Sequence, residues 1–103
     1  MQTHNKKRIE MIVEAPLEGR LVRLLEDLKV KGYTIVSAHA GQGLEGSWRR
    51  SGLVGDAGHM IVLICIVDPA RSDELVKRLH DFMENRIGII NIADVTVIRD
   101  EHF

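Results

Sequence analysis

The stretch Met60-Ile61-Val62-Leu63-Ile64-Cys65-Ile66-Val67 is uniformly apolar and strongly β-branched. A strand without polar alternation is usually central in its sheet and covered on both faces. At eight residues it is far too short to span a bilayer. Asp68-Pro69 breaks it. The other elements are arranged around this strand.

Upstream, Arg8-Ile9-Glu10-Met11-Ile12-Val13-Glu14 alternates, with Ile9, Met11 and Val13 on one side and Ile12 among charged residues on the other. It reads as a strand with one well-buried face, preceded by a polar N-terminal tail, residues 1–7. Past Pro16 the period changes. Leu17, Leu21, Leu24, Leu25 and Leu28 form one helical stripe, with Glu18, Arg20, Arg23, Glu26, Asp27 and Lys29 on the wet side. Gly32 is placed to end this helix as its C′ residue. Tyr33-Thr34-Ile35-Val36-Ser37-Ala38 follows as a second strand. Beyond the apolar run, Ser72 is the expected N-cap of a second helix with Leu75, Val76, Leu79, Phe82 and Met83 as its stripe. A last strand is expected over residues 91–99, and residues 100–103 form a loosely held polar tail.

The order is therefore β-α-β-β-α-β. Its natural packing is a ferredoxin-like α+β sandwich, a four-stranded antiparallel sheet with both helices on one face and the first and third strands central. Ile12 and half of Met60–Val67 then point away from the helices. Such a face is most simply buried against another subunit, so an oligomer is expected.

Composition agrees with a small folded unit. At 103 residues the chain is one domain, residues 1–103. Its 14 Lys+Arg against 15 Asp+Glu give no global electrostatic reason to expect nucleic acid or an anionic membrane as partner. Cys65 is the sole cysteine, which excludes an intramolecular disulfide and a cysteine-paired zinc site. The N-terminus has no apolar segment of the signal-peptide kind, and the expectation is a cytoplasmic protein.

One segment does not fit a minimal domain. The gap from His39 to His59, HAGQGLEGSWRRSGLVGDAGH, is 21 residues where about two to five are usual. Six of the nine glycines fall in it, so it can bring bare backbone N–H groups to an anion, or simply form a mobile hairpin extension. Gly41-Gln42-Gly43 is no dinucleotide fingerprint, since the third glycine and the following helix are missing. Trp48-Arg49-Arg50 has the composition of a protein-contact surface. The alternatives are stacking on a base or phosphate binding, or solvated arginines with Trp48 packed on the body. His39 and His59 bracket the loop and read either as a two-histidine metal site or as polar strand ends. No residue set of the Ser-His-Asp or Cys-His kind is present, and no carboxylate pair stands out, so catalysis has no support.

The whole frame, residues 8–99, resembles the PII-type signalling proteins. The segment Leu28-Lys29-Val30-Lys31-Gly32-Tyr33-Thr34-Ile35 resembles that family's helix-to-strand junction, where a Gly-x-Thr unit lines a nucleotide pocket. The loop of residues 40–58 stands where the family has its T-loop. Asn85-Arg86-Ile87-Gly88-Ile89-Ile90 stands where it has its phosphate-binding B-loop. The resemblance implies a homotrimer with nucleotide clefts between subunits. Gly32 and Thr34 would line the adenosine side, and Gly41, Gln42 and Gly43 would form the T-loop hinge over the phosphates. Gly88 and Ile89 would offer N–H groups, and Arg99 would be a phosphate ligand.

The departures matter. The family's Gly-x-Gly-Lys B-loop reads Ile87-Gly88-Ile89-Ile90 here, without the lysine that holds phosphates. Losing that charge shifts the expected preference from ATP toward ADP or AMP. The T-loop has no tyrosine, and the 2-oxoglutarate pattern is not reproduced. The stretch GQGLEGSWRRSG looks most like the carboxysome-associated PII-like type, related to the SbtB proteins but without their cysteine-bearing tail. That group is similar in binding adenine nucleotides with bicarbonate. The anion would sit on Gly41, Gln42 and Gly43 with Arg49 or Arg50 beside it, and Trp48, Arg49 and Arg50 would meet a partner such as a membrane bicarbonate transporter. The implied protein is a non-enzymatic sensor of inorganic carbon with no cofactor beyond these ligands. The alternatives are a nitrogen or energy sensor binding ATP and a CutA-like trimeric metal-binding protein. An acylphosphatase-like enzyme shares the topology but needs an arginine in the loop after the first strand, and Glu14-Ala15-Pro16-Leu17-Glu18 has none.

Overall fold

The computed structural model of the chain describes residues 1–43, the backbone of 46–49, residues 59–101 and residue 103. The strands and helices run β1 His4–Glu14, α1 Glu18–Asp27, β2 Tyr33–Ser37, β3 Ala40–Gly43, β4 Gly46–Arg49, β5 Met60–Val67, α2 Pro69–Met83 and β6 Gly88–Val97. A single 3-10 turn, Ala15–Leu17, leads into α1. Four strands form one antiparallel sheet in the order β2-β5-β1-β6, so the first strand and the apolar run are the central pair. This is the ferredoxin-like arrangement expected from the pattern. The additional pair, β3 and β4, is a separate two-stranded ribbon within the expected long loop.

Strand alternation sorts the sheet into two faces. Ile9, Met11 and Val13 of β1 and Ile61, Leu63, Cys65 and Val67 of β5 are buried on one side. They form one cluster with Leu21 and Leu25 of α1 and Leu75, Leu79 and Met83 of α2. Both helices therefore cover the same face. On the other face the register sets Val36, Val62, Ile12 and Ile89 side by side in one row across all four strands. Val36 and Ile89, at the row's ends, are 46% and 57% exposed. The next row is Thr34, Ile64, Glu10 and Asn91. There the Glu10 carboxylate accepts from Asn91 at 3.2 Å and from Arg8 at 3.1 Å, and these two donors, Asn91 first, hold its carboxyl below the usual range.

Several element ends differ from the sequence reading. β1 starts at His4, so residues 4–7 of the expected N-terminal tail are in the sheet. Lys6 and Lys7 can enter because each meets carboxylates there: Lys6 pairs with Asp68 and Asp100, and Lys7 with Asp94. Gly32 does not end α1; Lys29 does, at φ 58°. The N–H of Val30 bonds to the Leu25 carbonyl at 3.0 Å and that of Lys29 to Glu26 at 3.0 Å, a Schellman pattern in which Val30 and Leu25 also pack on the core. α2 begins at Pro69 rather than after Ser72, because a proline at the first helical position lacks only an N–H that would be unpaired there. Ser72 is buried inside the helix and its hydroxyl donates to the Pro69 carbonyl at 2.9 Å. β6 begins at Gly88 and ends at Val97, earlier at both ends than expected.

Gly88 has φ +153°, and a Cβ built there would lie 2.3 Å from the Ile12 carbonyl oxygen and 2.6 Å from the Met83 methyl. At Gly32 an added Cβ would meet nothing within 4 Å. The two glycines should therefore separate in urea denaturation. Gly88→Ala is expected to cost about 2 kcal/mol or more, and Gly32→Ala to stay within about 0.5 kcal/mol.

Candidate functional site

The α1–β2 junction is held from α2. An Arg71 Nη1 N–H donates to the Lys29 carbonyl at 3.1 Å and its Nη2 to the Leu28 carbonyl. A guanidinium on the last carbonyls of a helix is favourable both as a donor and against the helix dipole. The chain then leaves the helix through Gly32 and Tyr33 in a fixed position beside β5. There Gly32, Tyr33, Thr34, Ile64, Cys65, Ile66 and Phe103 line an open cleft of about 300 Å³. Gly32 and Thr34, the residues expected on the adenosine side, are thus brought together.

Phe103 reaches this cleft because the segment before it is anchored. The side chain of Lys6 is only 6% exposed; its ammonium donates to carboxylates of both Asp68 and Asp100 and lies 5.4 Å from the centre of the Phe103 ring. Asp100, then Asp68, hold the Lys6 ammonium above its ordinary pKa, and Lys6 holds the Asp100 carboxyl below its own. Asp100 and Phe103, expected in a loosely held tail, are in contact with the sheet. Arg99 follows β6 at the same end of the sheet and is exposed.

Gly88 and Ile89 are the first residues of β6, paired with Val13 and Ile12. That is the opposite end of the sheet, where β2 leads into Gly41, Gln42 and Gly43 of β3. In the ribbon these three pair with Trp48, Ser47 and Gly46. β6 is 10 residues long, so its ends, Gly88 and Val97, are about 30 Å apart, and Arg99 lies two residues past the far end. The candidate residues are therefore spread along the sheet: Arg99 past one end, Gly41, Gln42, Gly43, Gly88 and Ile89 at the other, and Thr34 between them, one row from Ile89 on the open face. The fold does not bring Arg99 and Gly88 together within one chain.

Arg49 and Trp48 contribute backbone to β4, and their side chains, like Arg50 as a whole, lie outside the described residues. Among the described residues no group of three or more His, Cys, Asp or Glu could hold a metal ion, and no helix is long and apolar enough to cross a membrane.

The family model for nitrogen regulatory protein P-II matches residues 6–102. The chain belongs to the P-II family. Among solved structures it is similar to CPII, a nitrogen regulatory PII-like protein from Thiomonas intermedia K12, bound to ADP, AMP and bicarbonate. The two are 26% identical with a TM-score of 0.85, over 95% of this chain and 92% of that one. A second structure of CPII, bound to ADP and bicarbonate, gives 28% identity and a TM-score of 0.81 over 95% and 93%. A candidate PII-like signalling protein from Thermus thermophilus gives 29% and 0.79 over 95% and 94%. No curated protein matches. The chain is accordingly a PII-like signalling protein, as the order of its motifs implied.

Sequence reasoning missed Phe103, Lys6, Asp68, Asp100 and Arg71. The one available signal was Phe103 itself, an aromatic side chain closing the polar run Arg99-Asp100-Glu101-His102. Cys65 was read as a small core residue, and it is 2% exposed with burial pushing its thiol up to about 11. At pH 8 only about one thiol in a thousand is then ionised. Folded protein should react with a disulfide reagent far more slowly than urea-unfolded protein. The folded-state rate should still be climbing at pH 10 instead of levelling near the ordinary thiol value.

Proposed function

We propose that this PII-like protein is a non-enzymatic, cytoplasmic homotrimer that binds ADP or AMP together with bicarbonate in clefts between subunits. The bound ligands shift the residue 40–58 loop between conformations and so control its contact with a partner in inorganic-carbon uptake, a bicarbonate transporter being the partner that fits. The observation that carries this reading is the division of the site. Arg99 and Gly88, at opposite ends of one sheet, can serve one ligand only across neighbouring copies. The open row Val36, Val62, Ile12 and Ile89 supplies an apolar surface for that association. Support for the ligands comes from CPII, which holds ADP, AMP and bicarbonate on the same fold.

In this reading Gly32 and Thr34 receive the adenosine, while Arg99 supplies positive charge to the phosphates. Gly41, Gln42 and Gly43, together with Gly88 and Ile89 at the same end of the sheet, offer backbone N–H groups to the terminal phosphate and to bicarbonate. A B-loop without lysine lacks the charge that would favour a third phosphate. Arg49 and Arg50 are the basic residues nearest the anion in sequence. With Trp48 they would also form the partner-facing surface.

Sedimentation equilibrium at micromolar concentration should give the mass of a trimer; a monomer would remove the need for an intersubunit cleft. Titration calorimetry should show ADP binding that tightens when bicarbonate is present, with bicarbonate affinity raised by ADP to the same extent. Absence of nucleotide heat in both conditions would sink the proposal. ADP binding indifferent to bicarbonate would remove only its carbon-sensing part, and preferential ATP binding with 2-oxoglutarate would replace it with a nitrogen sensor.

A further inference from the structure

Phe103 is an apolar ring following four polar or charged residues, yet it lies against the sheet. What keeps it there is a lysine whose side chain is largely buried. Burying an ammonium is costly unless its charge is compensated. Here the compensation comes from two carboxylates at unrelated positions, Asp68 before α2 and Asp100 after β6. Of these, Asp100 fixes the course of the chain three residues before the ring. Lys6 also lies within cation–π range of the ring, at 5.4 Å. A cation on one face of the ring leaves the other face for a different partner.

The cleft beside it has the composition that a flat heteroaromatic group needs. Ile64 and Ile66 supply an apolar floor, Gly32 a wall without a side chain, Thr34 a hydroxyl, and Phe103 an aromatic side. Its volume of about 300 Å³ is at the small end of ligand pockets. It suits a base and leaves the sugar and phosphates outside. Tyr33 lines the cleft too, but its register with Cys65 puts it on the helix side of the sheet. Lys6, Ile64 and Ile66 share the opposite side, and Phe103 with them.

We propose that Phe103 forms the stacking wall for the purine base of the bound nucleotide, and that Lys6, fixed between Asp68 and Asp100, is the positioning residue that sets the ring. The inference rests on the nucleotide-binding reading above and assigns the part of the cleft that selects a base. Nucleotide binding then couples the segment after β6 to the cleft. Losing the Lys6–Asp100 pair releases the ring.

The test is ADP titration of the full chain, read by calorimetry and by the fall in adenine absorbance on stacking. Phe103→Ala should weaken ADP by about 5- to 100-fold, the range for one base on one aromatic ring. It should abolish the absorbance change and leave inorganic pyrophosphate binding as in the wild type. Phe103→Tyr should retain the absorbance change, and Phe103→Leu, which keeps the apolar contact if alanine perturbs folding, should lose it. Lys6→Met should reduce it and Lys6→Arg restore it. Equal or tighter ADP binding by Phe103→Ala, with wild-type binding intact, would overturn the proposal, since the ring would then be a bystander or a plug. Wild-type protein that binds no ADP would instead bring down the nucleotide reading itself, and this assignment with it.

Discussion

Two helices can cover only one face of a four-stranded sheet, and most of this structure's properties depend on that limit. β1 and β5 are central, so each carries a complete set of side chains to both faces. On the helix side these are Ile9, Met11, Val13, Ile61, Leu63, Cys65 and Val67, buried with the helical leucines. On the other side Ile12, Val62, Ile64 and Ile66 have no described helix above them. An amphipathic sheet needs polar residues on its open face. This sheet supplies them in part, as Arg8, Glu10 and Asn91 bonded to one another and as Thr34 and Lys6. The remaining apolar row favours a second copy of the chain as its cover, and the same association would join the two ends of the candidate site.

The cleft itself depends on a small number of charged contacts between distant segments. Arg71 ties the end of α1 to the start of α2, and so holds the turn from which Gly32 leads into β2 beside β5. Lys6 ties the start of β1 to the residues before α2 and after β6, which places Phe103. Neither contact belongs to the hydrophobic core. Their effect is positional, since they hold irregular segments that have little apolar surface of their own to anchor them.

How much could be read in advance followed the range of the interaction concerned. The helical stripe from Leu17 to Leu28 and the alternation of residues 9–13 are local periodicities, and both appear as elements of the expected type. The central place of Met60–Val67 was legible because a run without polar residues fits only a strand covered on both sides. Lys6 was not legible: within a polar N-terminus it reads as tail, and its carboxylates lie 62 and 94 positions away. Gly32 looked like the helix terminator because glycine takes positive φ at least cost. Packing of Val30 against the core instead placed the turn at Lys29. Gly88 was noticed as a glycine, but its reason, the Ile12 carbonyl 2.3 Å from any added Cβ, belongs to a neighbouring strand.

The sequence by itself determined the types and order of the four sheet strands and two helices, the two-faced character of the sheet and membership of a PII-like frame. Period, turn residues and motif order are all carried by neighbouring positions. The tertiary structure decided which polar residues meet. It also decided that β6 runs from Gly88 to Val97, which sets Gly88 and Arg99 at opposite ends of the sheet. That decision rests on strand register and on charge pairs closed over most of the chain's length, and no local pattern contains either.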